Sequence, residues 1–180
     1  MKKLNKHRTS LALLLALALQ APGLAHAELF PEGIFGVKLG QTRAAALEAL
    51  VGAGVVPDLE KAQCSDKVPE RQRAVADRIC KLPILPGTLY EGQALAKVSL
   101  LLKDDGLVLM GLFVGPGPES HTALLKAYSN KLGEPVPAAE GEPNRWADAS
   151  TETPVARPTH LRLWNDAPNA FLAYGFQDVQ

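Results

Sequence analysis

The chain is short of the features that would place it in several broad classes. Its 180 residues hold two cysteines, two tryptophans and only 6% aromatic residues. One apolar run, LALLLALAL at 11–19, is far below the roughly 20 residues that a bilayer-spanning helix needs, and no later run comes near that length. Stable membrane insertion is therefore not expected. Charge of one sign is also missing: 19 basic residues face 19 acidic ones, with no run of like charge and no Lys/Arg stripe on any helical face. Nucleic acid and anionic membranes both demand a basic surface, so neither is an expected partner.

What is present begins with the first 27 residues. Lys2, Lys3, Lys6 and Arg8 form a basic start, the apolar run follows, and Ala25-His26-Ala27 supplies small residues around a cleavage site. That order reads as a secretory signal peptide cut between Ala27 and Glu28, which points to a periplasmic or secreted protein. No cysteine stands at the cut, so a lipoprotein is not expected. Removal leaves 153 residues, one ordinary domain able to bury a sizeable core. Four basic residues leave with the signal, so fifteen remain against nineteen acidic ones and the mature chain is mildly acidic.

Cys64 and Cys80 both lie in the mature part. In an oxidising compartment an isolated pair is most simply one disulfide, worth about 3 kcal/mol for a loop of that size. Zinc is the alternative, but His121 and His160 are the histidines left after cleavage and their spacing fits no zinc pattern.

Local signals sort into an order of elements. Residues 28–39, with Pro31, Gly33 and Gly36, suggest a short edge strand or extended lead-in. Thr42 is placed to cap a helix carrying Ala46, Leu47, Leu50 and Val51, with Gly52 or Gly54 as its stop. Residues 70–79 (ERQRAVADRI) read as a short helix ending at Cys80. Runs at 96–103 and 107–114 flank Asp104-Asp105-Gly106, a tight primed-turn hairpin signal, and the second run, apolar on both faces, suits a central strand. Ser120 is the expected N-cap of a second helix bearing Leu124, Leu125, Tyr128 and Leu132, stopped by Gly133 and Pro135. Three short strands should follow, around Arg145-Trp146, at 159–164 and at 170–176, with Pro154 and Pro158 marking the loop between the first two. The expected fold is α+β: an antiparallel sheet of about four to six strands with two main helices packed on one face. The two helix-then-strands halves could be diverged repeats, although they share little beyond apolar pattern.

The lead-in Gly36-Val37-Lys38-Leu39-Gly40-Gln41-Thr42, the helix stop Lys131-Leu132-Gly133-Glu134-Pro135 and Trp146 at the start of the last strands carry a resemblance. The arrangement is similar to the β-lactamase-inhibitor-like fold and to small outer-membrane assembly lipoproteins. That resemblance implies a fold and transfers no functional residue. This chain departs from it in lacking a lipobox cysteine and in the cysteine-bearing excursion between first helix and hairpin.

No catalytic, metal-binding or cofactor-binding set emerges. Ser120-His121 are helical neighbours that point apart, without a Gly-x-Ser-x-Gly elbow. Asp104-Asp105 read as turn residues rather than a calcium loop, and Glu134, Glu140 and Glu142 as a solvated loop. His160 reads as a sheet-edge residue. Trp146, Trp164, Phe171, Tyr174 and Phe176 either fill the core or form a platform. Alternation separates Leu161 and Leu163 from Arg162 and Trp164, making the latter two the candidate binding surface. The function expected is non-enzymatic binding or modulation of another envelope protein. A structural or stress-related envelope factor and a small periplasmic hydrolase with unidentified acidic residues are the alternatives.

Overall fold

The computed structural model describes residues 30, 32–116, 118–136, 139–147, 159–166 and 169–176. The expected signal peptide with its Ala27/Glu28 cut, and the Pro154–Pro158 loop, lie outside the described residues.

The lead-in is a pair of turns, not a strand. Ile34 and Val37 exchange both backbone hydrogen bonds, at 3.1 and 3.0 Å, across a tight turn. Gly33 must be glycine there: φ is +74° and a Cβ would stand 2.2 Å from the Val37 carbonyl oxygen. Helix α1, Arg43–Gly52, then starts on Thr42, whose Oγ1 accepts from the Ala45 N–H at 3.3 Å. It buries Ala46, Leu47 and Leu50 and ends at Gly54, in the left-handed region at φ +69°.

The excursion that follows differs from expectation. It holds a 3-10 turn at Leu59–Lys61, β1 (Gln63–Ser65), a second 3-10 turn at Glu70–Gln72, β2 (Arg78–Leu82) and β3 (Leu89–Tyr90). The helix expected at 70–79 is reduced to that turn, because the period of two wins over the period of 3.6 from Arg78 onward. Cys80 and Leu82 are buried on one face of β2, while Ile79 packs on the other. Cys64 and Cys80 stand directly opposite one another on β1 and β2 and are bonded, with a Cα–Cα distance of 4.0 Å.

The hairpin pairs β4 (Gln93–Lys103) with β5 (Gly106–Val114). Its two central residues are Asp104 and Asp105, both with positive φ, of 50° and 64°. Aspartate tolerates that region, so the primed turn forms one residue earlier than an Asp-Gly turn would, and Gly106 opens β5. Asp77 Oδ2 accepts from the Asp104 N–H at 2.9 Å and ties the turn to the excursion.

Helix α2, Pro118–Leu132, begins two residues before Ser120. Proline suits a first helical position, so Ser120 falls inside the first turn, buried, its hydroxyl donating to Gln93 Oε1 at 3.3 Å. Gly133, at φ +83°, ends the helix, and its carbonyl accepts from Trp146 Nε1–H at 2.8 Å. Strands β6 (Asn144–Ala147), β7 (Thr159–Asp166) and β8 (Asn169–Phe176) complete the fold.

All eight strands join one antiparallel sheet in the order β1-β2-β4-β5-β8-β7-β6, with β3 paired to the start of β4. The sheet exceeds the four to six strands expected because the excursion contributes β1, β2 and β3. Each half is a helix followed by strands, and the halves meet at β5 and β8. Both helices pack on the same face, where Leu50, Leu124 and Tyr128 cover Leu100, Leu112 and Leu163. Each such leucine contributes about 1.5–3 kcal/mol of burial. Tyr128 and Tyr90 are hydrogen-bonded through their hydroxyls inside this core, and burial pushes both phenols above their ordinary range.

The disulfide closes a loop whose only regular helix is one turn, so the chain-entropy term should be realised. Replacing Cys64 and Cys80 together by serine should cost about 3 kcal/mol in a denaturant titration while leaving the far-ultraviolet spectrum intact. An unchanged midpoint would show that the cross-link does not constrain the excursion.

Candidate binding face

Alternation along β7 sends Leu161 and Leu163 under the helices, both fully buried, and His160, Arg162 and Trp164 to the opposite face. On β8 the same alternation places Leu172 and Tyr174 under the helices and Phe171 and Ala173 opposite. Register then builds a stripe. Trp164 is paired with Phe171, and Phe171 with Phe113 on β5. Ring centroids lie 5.2 Å apart in the first pair and 4.6 Å in the second, with interplanar angles of 32° and 33°. Lys97 Nζ on β4 sits 5.0 Å from the Phe113 ring centroid. One aromatic-cationic row therefore crosses four strands of the helix-free face.

Gly111 makes room for that row. A Cβ there would come within 2.8 Å of Ser99 Oγ and 3.0 Å of the Phe171 ring. Any larger residue would push Phe171 off the strand surface.

The rest of this face is partly roofed. Val68, Val75 and Ala76 of the excursion pack against Ile79, Leu101, Val108 and Leu109. Between that roof and β7 lies a hollow of about 540 Å³. Its floor is Leu109, Ala173, Phe171 and Trp164, with Arg71 and Gln72 on the excursion side and Arg162 and Asn165 on the other. His160 contributes a buried side chain to the lining.

Two arginines meet on this face at β6 and β7. Arg162 lies directly opposite Arg145 of β6, so the two guanidinium groups share the face. Burial, and then the Arg145 charge, draws the Arg162 pKa below its ordinary value, while Glu142 acts weakly the other way. The described arginines divide: Arg71, Arg145 and Arg162 form no ion pair among the described residues, whereas Arg43, Arg73 and Arg78 each have a carboxylate partner.

The sequence candidates Arg162 and Trp164 thus sit two residues apart on the helix-free face, with Trp164 half-buried against Phe171 rather than standing clear in solvent. The five aromatic candidates divide between the two readings. Trp146 and Tyr174 fill the helix-side core, while Trp164, Phe171 and Phe176 lie opposite. Ser120 and His121 do not converge: Ser120 bonds Gln93, and His121 Nε2 lies 3.2 Å from Asn144 Nδ2. His160 is not at a sheet edge, since β7 lies between β6 and β8. No three His, Cys, Asp or Glu side chains cluster around a metal-sized space among the described residues. Phe113, Gly111, Arg145 and Arg71 escape sequence reasoning. The signal for Phe113 was the run at 107–114 that is apolar on both faces, whose second face has to meet something. The arginines carry no such mark until register pairs them.

No protein-family model, curated protein or solved structure matches the chain.

The two tryptophans offer an internal comparison. Trp146→Ala opens a hole in a closed core and should cost about 3–5 kcal/mol. Trp164→Ala removes a half-covered ring and should cost about 1–2 kcal/mol in the same denaturant titration. Equal losses at the two sites would place Trp164 in the structural core.

Proposed function

We propose that the protein is exported to the periplasm or the medium and acts there by binding, and so modulating, another protein, without a reaction of its own. Arg162 and Trp164 form the centre of its contact surface. The observation that carries this reading is the aromatic row on the sheet face that neither helix covers, with a hollow beside it. Aromatic residues and arginine dominate the energetics of protein interfaces, and a half-buried ring held flat by its neighbours loses little conformational freedom on binding.

Compartment and covalent chemistry support it. The first 27 residues have the layout of a signal peptide, the two cysteines are bonded, and no described helix is long and apolar enough to cross a membrane. We also propose that the chain has the β-lactamase-inhibitor-like fold. Its support is the lead-in, the Gly133 stop and the repeated order of a helix followed by antiparallel strands.

Affinity purification of the tagged full chain from its native envelope fraction tests the reading. A partner recovered with the wild type should be lost, by tenfold or more, with Trp164→Ala, while a variant on the opposite side such as Lys126→Ala retains it. Recovery that is indifferent to Trp164, with the variant folded, would overturn the assignment of this face.

A further inference from the structure

Among the described residues the helix-free face keeps three arginines without carboxylate partners, in a chain with nineteen acidic residues. Arg162 and Arg71 line opposite sides of the hollow, and Arg145 stands across from Arg162. Like charges placed directly opposite on neighbouring strands are unfavourable, so this pairing weakens the free protein. The other three described arginines, Arg43, Arg73 and Arg78, are matched to carboxylates, and Glu142, whose charge acts on Arg162, makes no ion pair with it. A local excess of positive charge, with Arg162 half-buried and Arg71 and Arg145 exposed beside it, favours an anion from outside.

The floor between these arginines is apolar and aromatic. Leu109, Ala173, Phe171 and Trp164 offer no charge, so an anion alone would leave that surface uncovered. The volume of about 540 Å³ lies in the usual range for ligand pockets, roughly 300–1,000 Å³. The complementary occupant is an apolar side chain with carboxylates on its neighbours.

Resting on the reading that this face binds a protein, we propose that the hollow is a receptor for an acidic segment of the partner. An aromatic or large aliphatic side chain of that segment lies on Trp164 and Phe171. One or two flanking carboxylates pair with Arg162 and Arg71, the planar guanidinium of Arg162 taking its carboxylate side-on. A polyanion is disfavoured, because outside the leader the chain carries fifteen basic residues against nineteen acidic ones and repels extended negative charge.

The test is a calorimetric titration of the full exported chain with two capped pentapeptides, Glu-Phe-Glu-Phe-Glu and its glutamine counterpart Gln-Phe-Gln-Phe-Gln. A short oligothymidylate serves as the phosphate arm. The acidic peptide should bind at least tenfold more tightly than the glutamine peptide, and salt should erode that ratio. Arg162→Gln should abolish the preference, and Arg71→Gln, on an exposed turn where folding is not at risk, should reduce it. Trp164→Ala should weaken both peptides alike. Equal affinity for the two peptides, no detectable binding of the acidic one, a preference that survives both arginine variants, or tighter binding of oligothymidylate would each overturn the proposal. The envelope purification separates the two levels. A Trp164-dependent partner alongside indifferent peptides defeats the carboxylate claim alone, and a Trp164-independent partner defeats the face as well.

Discussion

Two helices must serve an eight-stranded sheet, and they can cover only one of its faces. That constraint organises the molecule. The leucines of β4, β5, β7 and β8 that alternate toward the helices become the main core with Leu50, Leu124 and Tyr128. The opposite face of the same strands still carries Leu101, Leu109, Phe113, Phe171 and Trp164, and these need other cover. Over the half nearest β2 the cover is the excursion, whose Val68, Val75 and Ala76 form a small second core. The Cys64–Cys80 bond fixes the start of that excursion to its returning strand, and the Asp77 carboxylate fastens it to the hairpin turn. Over the half formed by β7 and β8 the roof stops at Arg71 and Gln72, which leaves the hollow and the aromatic row beside it.

Two details show how that face is ordered. Gly111 lets the Phe171 ring lie close over β5, so the row from Trp164 to Phe113 is continuous. Pairs of this kind are worth about 0.5–1.5 kcal/mol beyond their area, enough to fix ring orientation without closing the face. Register sets the second detail. Pairing of Arg145 with Arg162 follows from the same β6–β7 alignment that sends Trp146 and Leu161 into the core, so the charge cluster is a consequence of core packing on the other side of the strands.

Much of this was legible where a single residue or a short period carries the signal. Thr42 as a cap, Gly52 or Gly54 and then Gly133 as stops, and strands at 96–103, 107–114, 159–164 and 170–176 all follow from local chemistry, and the structure places an element at each, with Gly54 as the first stop and each strand longer by up to three residues. The excursion was not legible. Residues 63–65 are all exposed, and β2 mixes a helical period with a strand period, so only pairing with β4 and the bond to Cys64 decide its state. Ser120 misled because Pro118 starts the helix earlier. Separation of Arg162 and Trp164 from Leu161 and Leu163 could be read from alternation. Their neighbours Arg145, Phe113 and Arg71 could not, since each arrives from a distant part of the chain through register or through the excursion.

The central claim is that the helix-free face beside the excursion is accessible in the free protein and covered in its complex. Oxidative side-chain footprinting read by mass spectrometry addresses both halves of it, using the two tryptophans as opposed reporters. Trp164 and Phe171 should be modified in the free protein and protected in the complex, with Trp146 inert in both. A Trp164 as unreactive as Trp146 in the free protein, or protection that falls on α1 and α2 instead, would contradict it.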